Sequence, residues 1–67
     1  MLGGSVRVAR TRIAVWALVN YRRLGWADAA VLENYPTLRP QDLRAAHLYA
    51  TLNRAEIDRE IDENERA

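Results

Sequence analysis

The sequence predicts an all-α fold: a small three-helix, helix-turn-helix-like domain with a short N-terminal β-strand and a C-terminal tail helix. Three observations predict it. Apolar residues recur at helical spacing from Ala14 onward, and Gly25, Pro36 and Pro40 punctuate the chain at helix-length intervals. Only Ser5 to Val8 alternates with a period of two.

Taking the elements in order, Val6 and Val8 fall on one face of an extended segment and Arg7 on the other. So short a strand is marginal alone, and pairing with a second copy across a dimer axis would complete it. Ala14, Ala17, Leu18 and Tyr21 stand at i, i+3, i+4 and i+7, and Leu24 extends the stripe. This spacing predicts a first helix over Ile13 to Leu24, with Thr11 accepting from its first turn and Gly25 ending it as the C′ residue. Asp28 opens a second helix carrying Val31 and Leu32 inward, and Pro36 stops it by pushing Tyr35 out of the α region. Pro40 suits the first position of a third helix, Pro40 to Asn53, whose inner stripe is Leu43, Ala46, His47 and Ala50. The link from Pro36 to Arg39 suits two helices crossing steeply, hence the helix-turn-helix expectation. Glu56 to Arg66 reads as a last helix with Ile57 and Ile61 as its apolar anchors. Two isoleucines predict weak docking, so residues 54–67 are set apart from the 1–53 domain as an amphipathic acidic segment. The expected core is Ile13, Val15, Leu18, Val19, Leu24, Val31, Leu32, Tyr35, Leu38, Leu43, Ala46 and Ala50.

Composition narrows the function classes. A chain of 67 residues has a small core and gains most from a second subunit, a metal or disulfides. With no cysteine and one histidine, disulfides are excluded and a tetrahedral metal site lacks ligands, which leaves a homodimer as the expectation. Catalysis has little to draw on. Ser5 is the one serine, His47 falls on an apolar stripe, and the acids near the end spread round a helix. The chain is therefore expected to be a binding protein and not an enzyme, without cofactors. No secretory leader or apolar run of spanning length is seen, so the cytoplasm is the expected compartment and no membrane partner is expected.

The net charge of +1 conceals a polarity: residues 1–27 hold five arginines and no acid, whereas residues 54–67 hold three arginines and six acids. All ten basic residues are arginine, whose planar fork suits phosphate, guanine or carboxylate. If the third helix enters a major groove, Arg39, Gln41 and Arg44 are the exposed readers. If two N-terminal segments pair as a ribbon, Arg7 and Arg10 line it, and Arg12 adds to the basic contacts.

Thr11-Arg12-Ile13-Ala14-Val15-Trp16, Gly25-Trp26, Leu32-Glu33-Asn34-Tyr35-Pro36-Thr37-Leu38, Asp42-Leu43-Arg44-Ala45-Ala46, Tyr49-Ala50 and Glu56-Ile57 together resemble the domain of unknown function family 433, over about residues 4–64. The resemblance implies a helix-turn-helix-like fold dimerising through its N-terminal region. It also implies a VapB-like antitoxin paired with a PIN-like ribonuclease toxin. Arg10 departs from the glycine usual before Thr-Arg-Ile, and Ala27 and Arg39 stand where N-caps such as Ser or Thr are usual. The segment usual upstream of Gly4 is missing, which would either weaken dimerisation or reflect a misplaced start. On this resemblance the tail binds the toxin through Ile57, Arg59, Ile61 and Arg66, folding on its partner, and the basic end binds operator DNA. The alternatives are a stand-alone helix-turn-helix DNA-binding regulator and an oligomerisation module that binds no DNA.

Overall fold

The computed structural model describes residues 6–8 and 11–66 and contains four helices: α1 (Val15–Arg23), α2 (Asp28–Asn34), α3 (Pro40–Leu52) and α4 (Arg54–Arg66). α1 is the hub, packing against α2, α3 and α4, and α3 also meets α4. Val8, Val15, Leu18, Val31, Leu38, Leu43, Ala46, Ile57 and Ile61 form the buried core.

The N-terminal β-strand and the three-helix count are both corrected. Among the described residues there is no strand, only an isolated antiparallel bridge between Arg7 and Ala14. The Val8 amide donates to the Ile13 carbonyl (2.9 Å), and the Val15 amide donates to the Val6 carbonyl (3.0 Å). Thr11 closes this turn, its hydroxyl donating to the Val8 carbonyl (3.0 Å) and accepting from the Ile13 amide (3.1 Å). The extended segment thus finds its partner within its own chain, and the pairing is too short to propagate into a ladder. The same bonds delay α1, because Ile13 and Ala14 are held extended until Val15.

α1 ends in a full Schellman motif. Gly25, at φ 95°, donates to the Arg22 carbonyl (3.0 Å) and Trp26 to the Tyr21 carbonyl (3.0 Å). The accompanying apolar contact is Tyr21 on Trp26, ring centroids 4.8 Å apart. The chain turns outward here, so Leu24, expected in the core, is 66% exposed. Asp28 opens α2 and is bridged to Arg22 (3.0 Å), which ties α2 to the end of α1. Tyr35 closes α2 beside Tyr21, their hydroxyls 3.0 Å apart.

α3 begins on Arg39, whose amide donates to the Asp42 carboxylate (3.0 Å). This is half of a capping box, since an arginine side chain has no acceptor to offer in return. Asn53 joins the last two helices: its side-chain amide donates to the Tyr49 carbonyl (3.0 Å), and its own carbonyl accepts from Ile57 (3.1 Å).

α4 is the fourth member of the fold. Ile57 is 1% exposed and Ile61 5%, so the two isoleucines are core residues seated against the other helices, in place of the weak docking expected of them. Arg23 pairs with Asp58 and ties the end of α1 to α4.

Candidate functional site

The basic residues expected to meet DNA share one side of the domain in part. Arg7 is exposed, its guanidinium donating to the Arg12 carbonyl (2.8 Å), and Arg12 is exposed beside it. Arg10 lies outside the described residues. Arg39, Gln41 and Arg44 are exposed on the first turns of α3. A shallow groove of about 200 Å³ is lined by Val6, Arg7, Val8 and Val15 on one side and Asp42, Ala45, Ala46 and Tyr49 on the other, so of the expected DNA-binding residues that are described it includes Arg7 alone.

The four residues expected to meet a toxin point in two directions. Ile57 and Ile61 face the core. Arg59 and Arg66 face solvent, within 4.0 Å of Glu63 and 3.2 Å of Asp62 respectively. Both pairs lie one helical turn apart on an exposed surface and contribute at most a few tenths of a kcal/mol.

His47, Glu60 and Tyr49 are perturbed by their surroundings. His47 is half-buried on α3, and burial together with nearby Arg22 holds its imidazole below the usual histidine range, with Asp28 opposing. Glu60 is the one polar side chain buried with the core among the described residues, 7% exposed, and its Oε1 has no hydrogen-bond partner. Burial pushes its carboxyl above the usual glutamate range; Glu56 and Glu63 add to the rise and Arg59 counters it. Next to it, Tyr49 donates to the Glu56 carboxylate (3.0 Å), which raises the phenol. Glu60 escaped the sequence reading although its signal was present: with Ile57 and Ile61 it falls at i, i+3 and i+4, on the inner face of α4.

Large apolar side chains stand uncovered elsewhere: Leu24, Trp26, Leu48 and Leu52 are 66%, 39%, 62% and 74% exposed. Among the described residues no group of three or more His, Cys, Asp or Glu is placed to hold a metal ion, and no helix is long and apolar enough to cross a membrane.

Comparison with known proteins gives a consistent family. No curated protein matches the chain. A crystal structure of a DUF433 member protein from Anabaena variabilis is 50% identical and superposes with a TM-score of 0.87 over 90% of this chain. The match covers 59% of that protein, so this chain spans only about three-fifths of its relative's length. The family model described as "Protein of unknown function (DUF433)" matches residues 1–50, through α1, α2 and most of α3. This chain belongs to the DUF433 family.

Proposed function

We propose that this chain is an antitoxin: it neutralises a PIN-like ribonuclease by binding it directly, acting in the cytoplasm and without catalysing a reaction itself. The observation that carries the reading is the uncovered apolar surface of an otherwise packed domain. Leu24, Leu48 and Leu52 are each more than 60% exposed while Leu18 and Ile57 are sealed at 1%. Apolar side chains held out on rigid helices suit a protein partner, which gains by removing them from water. The class of that partner comes from the resemblance carried by Thr11-Arg12-Ile13 and Tyr35-Pro36-Thr37-Leu38.

The reading requires a PIN-like nuclease in the neighbouring open reading frame, and coexpression with that nuclease tests it; a neighbourhood without one counts against it. RNA cleavage should cease at equimolar ratio, and the two chains should purify as one complex. A nuclease that stays fully active in the presence of excess folded protein would refute it.

A second reading, operator binding, is favoured by the exposure of Arg7, Arg12, Arg39, Gln41 and Arg44. Its signature is a steep salt dependence. Alanine at Arg7 and Arg12 should lower the slope by about 1 for each phosphate that is no longer neutralised. An unchanged slope removes that segment from any DNA interface.

A further inference from the structure

The outward face of α3 carries Arg44, Leu48 and Leu52 in a single row, at i, i+4 and i+8. All three are exposed, the leucines by 62% and 74%, while Leu43 and Ala46 occupy the inner face of the same helix. Arg44 has no carboxylate within ion-pair distance among the described residues, in contrast to Arg22, Arg23, Arg54, Arg59 and Arg66. On α3, Ala45 and Tyr49 neighbour the Leu48–Leu52 end of this ridge and form one wall of the 200 Å³ groove, with Val6 and Val8 as the other, while Arg44 lies farther round the helix. Arg7 stands at its rim, likewise without a carboxylate partner. Asp42 is at the rim too, engaged by the Arg39 amide at the start of α3.

We propose that this ridge and groove form the docking surface for an acidic amphipathic segment of the partner protein. Its apolar stripe lies along Leu48 and Leu52 with a side chain in the groove, and its carboxylates meet Arg44 and Arg7. The proposal rests on reading the chain as a toxin-binding protein, and adds where the toxin binds and with what chemistry.

Charge decides the occupant. An arginine covered by a partner keeps its charge, so burying it is unfavourable unless the partner supplies a carboxylate. A cationic or neutral segment would leave both guanidiniums without a counter-charge. Nucleic acid would satisfy the arginines but gain little from two leucines set beside them. A second copy offers no matching stripe on its own acidic helix, because Ile57 and Ile61 are sealed in the core and the outer acids Asp58, Asp62 and Glu63 already sit beside arginines.

The test uses the full chain and the neighbouring nuclease, with binding measured by calorimetry and neutralisation by RNA cleavage. Three variants are compared with wild type: Leu48→Gln with Leu52→Gln, Arg44→Glu, and Glu33→Gln, exposed on α2, as a surface control. Circular dichroism melts establish that each is folded. The leucine pair and the Arg44 variant should each weaken binding by about 30-fold or more, as central interface residues do. The Arg44→Glu loss should shrink in high salt, and the Glu33→Gln control should bind like wild type. Folded variants of Arg44, Leu48 and Leu52 that neutralise like wild type would overturn the docking surface and leave the antitoxin reading standing. A wild-type chain that fails to bind the nuclease overturns the antitoxin reading, and the proposal with it. Variants that halve the particle mass, or lose only DNA binding, while still neutralising would likewise overturn the surface, by showing it to be an interface between copies or with nucleic acid.

Discussion

Replacing Glu60 by methionine should make this protein more stable. Glu60 is 7% exposed with Oε1 unpartnered, in a position one turn from Ile57 and adjacent to Ile61 on the inner face of α4. A buried polar atom left without a hydrogen bond costs about 1–3 kcal/mol. Methionine has a comparable length and nearly the same helix propensity, and its thioether asks for no strong partner. The expected gain at pH 7.5 is therefore about 1–3 kcal/mol, which in a domain of this size raises Tm by roughly 4 °C or more. Glu60→Gln should gain less, since it removes the charge and keeps an unpaired polar group. The effect must also depend on pH with a definite sign. The folded state holds the Glu60 proton more tightly than the unfolded chain does, so this residue's cost is absent below the unfolded-chain pKa. It appears as pH rises through the window up to the raised value in the fold. The melting gap between Glu60→Met and wild type should be largest above that window and shrink below it. Taking the difference cancels the acids that do not feel Glu60, while its repulsion with Glu56 and Glu63 stays in the gap and adds to it at high pH. Thermal melts by circular dichroism across pH 4 to 8 measure it. A methionine variant no more stable than wild type at pH 7.5, or a gap that ignores pH, would refute the reasoning.

The remaining predictions concern other joints of the fold. Gly25→Ala should cost about 1–2 kcal/mol in a denaturant titration; no atom lies within 4 Å of the added Cβ, so the cost is the left-handed backbone alone, and Gly25→Asn should cost less. Leu18→Ala or Ile57→Ala should cost about 2–5 kcal/mol, a large part of the roughly 3–10 kcal/mol such a domain holds, and wild-type-like melts would show that these side chains are not in the core. Deleting residues from Arg54 onward should unfold the chain, because it opens the core where Ile57 and Ile61 sit; a cooperative melt of the truncated protein near the wild-type Tm would contradict this. His47 should titrate below the usual histidine range in an NMR experiment, and Arg22→Gln should move its midpoint upward; an unmoved midpoint would remove Arg22 as a cause.

What the sequence made legible was its punctuation. Asp28 and Pro40 open their helices where expected, Pro36 follows the end of the second, and Gly25 takes its positive φ, because proline and glycine act through local sterics that no packing overrides. The inner face of α3 was legible in part: Leu43 and Ala46 are buried, whereas His47 and Ala50 of the same stripe are only half-buried. Depth was harder to read. Ile57 and Ile61 look too few to hold a helix, yet burial depends on what the rest of the fold presents to them, and α1 and α3 both receive α4. The period-two signal at Val6 and Val8 is real, and residues 13–15 of the same chain supply a partner for it. Leu24 continues the periodicity of α1 on paper, whereas the Schellman turn carries it outward. The candidate surface is visible in the sequence only in pieces: Arg44 reads as a side chain bound for a DNA groove, and the protein groove beside it needs residues 6–8 folded back onto α3, a contact no local spacing encodes.

Hydrogen exchange of the chain alone and in complex with the neighbouring nuclease tests the central claim most directly, that α4 belongs to the fold and α3 meets the partner. In the isolated protein, α4 amides around Ile57 and Ile61 should be as protected as those of α1, with little change on binding. New protection should appear over residues 6–8 and along α3 from Arg44 to Leu52. An α4 that exchanges freely alone and becomes protected only in the complex, with α3 unchanged, would contradict the claim.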